Sequence, residues 1–227
     1  MKKFFMLFIA SLIFIAISCD SESESEDSQY DATLNENNDH DVKASGKQTV
    51  VIFDVVNGVE AGTSTLHRNN SGITANYKAT GLIAGHAYTM WWVIWNNPEE
   101  CDIPGACSDG DFGNPDVQVE LMYATGHVVG NNGKGNFGAH LNENDASETI
   151  NPLFGLPSYG GLADAQKAEV HIVLRSHGPK IPGIVNEQIG SYLGGCPQVF
   201  PYGFPPFTEI PDEPGECGDI YASIHQP

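Results

Sequence analysis

Along residues 72–80 the chain reads GITANYKAT, and Ile73, Ala75, Tyr77 and Ala79 alternate with Thr74, Asn76, Lys78 and Thr80. A period of two is the signature of a strand with one face buried and the other in water. Six further runs have the β-branched and aromatic character of strands: QTVVIFDVV, TSTLHR, AYTMWWVIWN, VQVELMYATGHVV, GNFGAHLN and AEVHIVLR, with Gly, Asn and Pro between them. No segment carries a long apolar stripe at helical spacing. In AYTMWWVIWN, Trp91, Val93 and Trp95 share one face and Tyr88, Met90, Trp92 and Ile94 the other. A strand that is apolar on both sides needs cover on both. The pattern predicts an all-β fold, an antiparallel immunoglobulin-like β-sandwich, as a single domain over residues 48–227. The tail from Pro179 to Pro227 holds nine of the 14 prolines, so it reads as a long irregular Pro-rich segment covering the tryptophan strand and not as another strand.

The N-terminus has a different pattern. Lys2 and Lys3 precede an apolar stretch from Phe4 to Ile17 that is too short to span a bilayer, so residues 1–18 read as a signal peptide. The AISC ending resembles a bacterial lipoprotein box, with Ala16 where leucine is commoner, and this resemblance implies a lipidated Cys19 as first mature residue. Residues 19–47 then form an acidic tether, with nine acids and no Lys or Arg between Asp20 and Asp41. The tether is similar to the acid-rich leaders of surface lipoproteins in the Bacteroidetes group, although a plain spacer needs only the same composition. The expected location is the bacterial outer membrane or cell surface, with the membrane as a partner through acyl chains on Cys19.

Charge narrows the partners. The formal net charge of −19 becomes −21 without Lys2 and Lys3, and the tether accounts for −9, which leaves −12 on residues 42–227. Such a domain repels phosphate backbones, so nucleic acid is excluded. Metal cations, neutral glycans and a surface protein partner stay compatible.

Four cysteines remain besides Cys19, and an even number in an exported chain predicts two disulfides. Local closure favours Cys101 with Cys107 and Cys196 with Cys217. A four-cysteine zinc site is the rival, but CDIPGAC has five intervening residues, more than zinc knuckles use. GHVVGNNGKGNFGAH lacks the phosphate-loop pattern, and its Asn132-Gly133 reads as a hairpin turn. Asp109, Asp111, Asn114 and Asp116 bunch as calcium ligands might, with residues 142–148 as a second donor loop. Acidic turns of this kind are also ordinary on an acidic surface.

The most concentrated chemistry lies in AEVHIVLRSHGP. Val170, Ile172 and Leu174 form an apolar face, so Glu169, His171, Val173 and Arg175 point the other way, with His177 in the same phase. In GNFGAHLN, His140 likewise lies opposite the apolar positions. If those two runs are neighbouring strands, His140 and His171 could hold a divalent metal with Glu169 or His127 as third ligand. His171, Arg175 and His177 are then the catalytic candidates, Arg175 and His177 positioning an anionic substrate group. The competing expectation is a polar cluster that only satisfies itself under a covering loop.

Residues 81–101, GLIAGHAYTMWWVIWNNPEEC, together with 168–196, AEVHIVLRSHGPKIPGIVNEQIGSYLGGC, resemble an uncharacterised group of secreted bacterial proteins and bring no activity with them. GTSTLHRNNSGITANYKATGLIAGHAYT is similar to the start of chordin-like (CHRD) domains and to the superoxide-dismutase-like sandwich, a likeness that implies a fold only. The dismutases' His-x-His copper pair is absent from this chain. Two functions follow as expectations: a surface module that binds a ligand, glycan or partner, or a metal-dependent enzyme acting on an extracellular substrate.

Overall fold

Register shows how the alternation is used. Leu66 lies opposite Gln48 on one neighbour and Ala75 on the other, and Ala75 lies opposite Ala139. Cross-strand partners share a face, so one row runs across four strands, with Leu66, Ala75 and Ala139 its apolar members. A computed structural model describes residues 46–196 and 217–227. The strands are β1 (Gly46–Asp54), β2 (Glu60–Asn69), β3 (Gly72–Ala79), β4 (His86–Trp95), β5 (Val119–Val128), β6 (Gly135–Asn142), β7 (Glu169–Pro179) and β8 (Gly218–His225). Three short 3-10 turns and one helical turn, α1 (Val185–Gln188), complete the elements. No helix among the described residues is long and apolar enough to cross a membrane. The signal segment, Cys19, nearly all of the tether and the proline-rich stretch 197–216 lie outside the described residues.

All neighbours are antiparallel, in the order β5-β4-β7-β8-β1-β2-β3-β6. The expected two separate immunoglobulin-like sheets are therefore met only in the coarser sense, an all-β antiparallel fold, because hydrogen bonding joins eight strands in one nearly closed sheet. The link in its middle is slight. β1 meets β8 through two residue pairs, Phe53 with Ala222 and Asp54 with Tyr221. Two four-stranded halves result, and their inner faces share one core that includes Ile52, Leu66, Tyr77, Met90, Trp92, Phe137, Ile172 and Ile220. β5 and β6 are joined by the turn at Asn132-Gly133, where Gly133 takes the left-handed φ of 62° that a glycine adopts without cost.

One expectation about the tail is corrected. Residues 218–225 are not irregular cover but the strand β8, inserted between β7 and β1. A bulge at Leu174/Arg175 lets Ile220 and Tyr221 both join the inner core while Asp219 meets Arg175 on the outer side. Mixed polarity in GDIYASIH hid this register.

The outer faces of the two halves differ. On β1-β2-β3-β6 the outer side chains of Thr74, Asn76, His67 and His140 stand in water. On the other half every residue of β4 is buried, as an apolar strand covered on both sides requires. On its outer side Val93 and Trp95 join a second cluster with Cys101, Cys107, Phe112, Val117, Val119 and Leu121, and Ile150, Phe154 and Leu156 pack against it. Both local disulfides form, Cys101–Cys107 and Cys196–Cys217, with Cα atoms 5.3 Å and 5.7 Å apart.

Candidate functional site

Between the outer face of β4, β7 and β8 and this cover lies a cavity of about 430 Å³. Trp91, Trp95, Phe112, Phe154 and Tyr192 contribute aromatic walls, Val173 and Ala222 an apolar floor, and Ser108, Asp109 and Gly110 a rim. The walls brace one another: Trp95 and Phe112 are 4.8 Å apart between ring centroids, and Tyr192 meets Trp91 edge-on at 5.1 Å and Phe154 at 5.2 Å. The rim is held by a capping box. Asp111 accepts from the Ser108 N–H at 2.8 Å and from the Asp102 N–H at 2.7 Å, and the Cys101–Cys107 bridge closes the same loop.

Glu169 and His171 meet as their shared phase on β7 predicts. The His171 Nε2–H donates to Glu169 Oε1 at 2.6 Å, and the Cys107 N–H donates to the same oxygen at 3.2 Å, so that oxygen is the acceptor and His171 keeps its hydrogen on Nε2. Glu169 is fully buried, and its Oε2 has no hydrogen-bond partner among the described residues. The imidazole stands edge-on to Trp95 at 5.5 Å and lines the cavity. Asp109, exposed at the rim, has its carboxyl pKa raised by the apolar surroundings while nearby His171 pulls it down.

Arg175 is fully engaged. Its guanidinium pairs with Asp219 at 2.9 Å, donates to the Tyr192 carbonyl at 3.1 Å and lies over the Tyr192 ring at 4.1 Å. Burial pushes the Asp219 carboxyl up against the pull of Arg175. His177 is buried and satisfied at both nitrogens. Trp91 Nε1–H donates to Thr89 Oγ1 at 2.7 Å, the Thr89 hydroxyl donates to His177 Nε2 at 2.7 Å, and His177 Nδ1–H donates to the Gly194 carbonyl at 2.8 Å. Burial, helped by Arg175, lowers its pKa to about 3, so it is neutral. Neither residue is free to grip an anionic group, contrary to the expectation for them. Both instead fasten the 190–196 segment against β7.

His140 does not join His171. Along the sheet β8, β1, β2 and β3 lie between β7 and β6, so the two strands that carry these histidines are not neighbours. β6 pairs with β3 instead, and His140 bonds Thr74 at 2.8 Å and Asn142 at 3.0 Å in the open. His127 stacks on Phe137 at 4.1 Å. The expected metal set of His140, His171 and Glu169 thus keeps only its last two members. Among the described residues, the one set of three His, Cys, Asp or Glu side chains whose ligand atoms converge is His177, Cys196 and Cys217, with both sulfurs joined in the disulfide. In the acidic loop expected as a calcium site, Asp111 turns inward to backbone N–H groups and the Asn114 amide donates to the Glu100 carbonyl at 3.0 Å.

Sequence reading found the outer phase of Trp91, Trp95, Glu169 and His171. It missed Phe112, Phe154 and Tyr192, which sit in loops without periodicity, and Asp219, whose partner is 44 residues away. No protein-family model, curated protein or solved structure matches the chain.

Proposed function

We propose that this chain is an exported lipoprotein, anchored at the bacterial outer membrane or cell surface through Cys19, whose β-domain is a binding module with its ligand site in the aromatic cavity. In this reading the two four-stranded halves are the layers of a β-sandwich, one layer's outer face left polar and the other roofed to make the site. The carrying observation is the cavity itself: about 430 Å³, walled by five braced aromatic rings, with few polar groups converging on it. Sites for small ligands have this size and composition, an apolar enclosure with a small number of placed polar atoms. The metal-dependent enzyme reading is weaker because His140 is remote and Arg175 and His177 are engaged.

A water-soluble aromatic probe tests the site. Titration calorimetry with 3-tert-butylphenol is expected to show saturable binding at one site per chain. Val173→Phe, which fills the floor, is expected to abolish binding while the melting temperature stays close to that of the parent. Absence of saturable heat, or undiminished binding by a folded Val173→Phe variant, would overturn the assignment.

A further inference from the structure

Resting on that reading, we infer that the ligand is an organic cation, and specifically one with a quaternary ammonium group. The argument starts from the charges around the cavity. Among the described residues, two carboxylates line it, Asp109 at the rim and Asp219 in the wall, and no Lys or Arg does. The nearest guanidinium, Arg175, is paired with Asp219. With a formal −12 on residues 42–227, the surrounding field draws cations toward the rim and repels anions.

The walls refine the class. Aromatic faces carry negative potential and attract a cation placed over them, most strongly when the group is out of water. A primary ammonium also carries three N–H donors that need acceptors once desolvated. The walls offer few. Tyr192 supplies its carbonyl to Arg175, Asp219 Oδ1 is taken by the same guanidinium, and the indole Nε1 of Trp95 is itself a buried donor without a partner among the described residues. A quaternary ammonium has no N–H to leave unpaired, so it keeps the attraction to the rings and to Asp109 without that cost. His171, held by Glu169, closes one side beside Trp95 and leaves the rim carboxylate as the counter-ion.

The test compares isosteres that differ in charge alone. Titration of the full chain with 3-hydroxyphenyltrimethylammonium is expected to give about tenfold tighter binding than with 3-tert-butylphenol. Asp109→Asn, a substitution at an exposed rim position, is expected to lower the cation's affinity by about threefold more than the phenol's. Equal or weaker binding of the cation beside measurable binding of the phenol would overturn the cation assignment and leave the cavity as a ligand site. An Asp109→Asn variant that weakens both probes alike also overturns it, since the carboxylate would then act on shape. Failure of both probes to bind removes the ligand site and the inference with it.

Discussion

Arg68 shows how one side chain closes an end of the core. It is buried on the inner face of β2, and its guanidinium donates to the carbonyls of Ala165 and Ala168 at 2.6 Å and 2.9 Å and of His225 and Gln226 at 3.3 Å and 3.1 Å. Burial lowers its pKa to about 10, so it remains charged near neutrality. Four carbonyls from two segments thus share one cation. Arg68→Met keeps volume but leaves those carbonyls without donors, and the expected loss is about 3 kcal/mol by chemical denaturation. Arg68→Lys is expected to recover little of it, because one ammonium cannot reproduce the planar fork. A loss within about 0.5 kcal/mol for Arg68→Met would show that water satisfies these carbonyls instead.

At the scale of elements, β8 is the strand on which both halves depend. Ala222 lies opposite Val173 on β7 and opposite Phe53 on β1, so it sits in both ladders. Ala222→Pro removes an N–H and imposes a ring there, and the expected cost is about 3 kcal/mol or more, read as a shift in the denaturation midpoint without a change of fold class by circular dichroism. A wild-type midpoint would mean that β8 contributes little to the sheet. The same strand marks where sequence legibility stopped. β2, β3 and β6 announced themselves because their buried positions alternate, as in Ile73, Ala75, Tyr77 and Ala79, and β1, β4, β5 and β7 because they are rich in β-branched and aromatic residues. β8 did not, since its bulge turns Ile220 and Tyr221 inward together and leaves Ile224 facing out. The pairing of Glu169 with His171 was legible, because two residues of one strand keep their phase whatever the topology. The supposed pairing of His140 with His171 depended on which strands are neighbours, and alternation carries no information on that.

For the molecule as a whole, acid is the informative stress. Burial holds His177 at about 3 and His225 at about 4, against an ordinary value of 6.5. Both stay neutral in the fold and take up protons once unfolded below 6.5, so the unfolded state binds more protons and stability falls as pH drops from 6.5 toward those values. At about pH 5 each accounts for roughly 2 kcal/mol. Asp109 and Asp219, with raised pKa values, act in the opposite sense between 3.8 and their folded values, so they soften the fall. Unfolding free energies measured from about pH 7 to pH 5 should therefore decline, and His225→Asn should flatten the decline. A level profile for the parent would refute the two buried neutral imidazoles. The position of β8 also bears on how the chain can be made. Ribosomes deliver strands in order, yet the strand that sits between β7 and β1 comes last of the eight. Until it emerges, the two halves have no hydrogen-bonded ladder between them, so the sheet is completed only when the last of its described strands has left the ribosome.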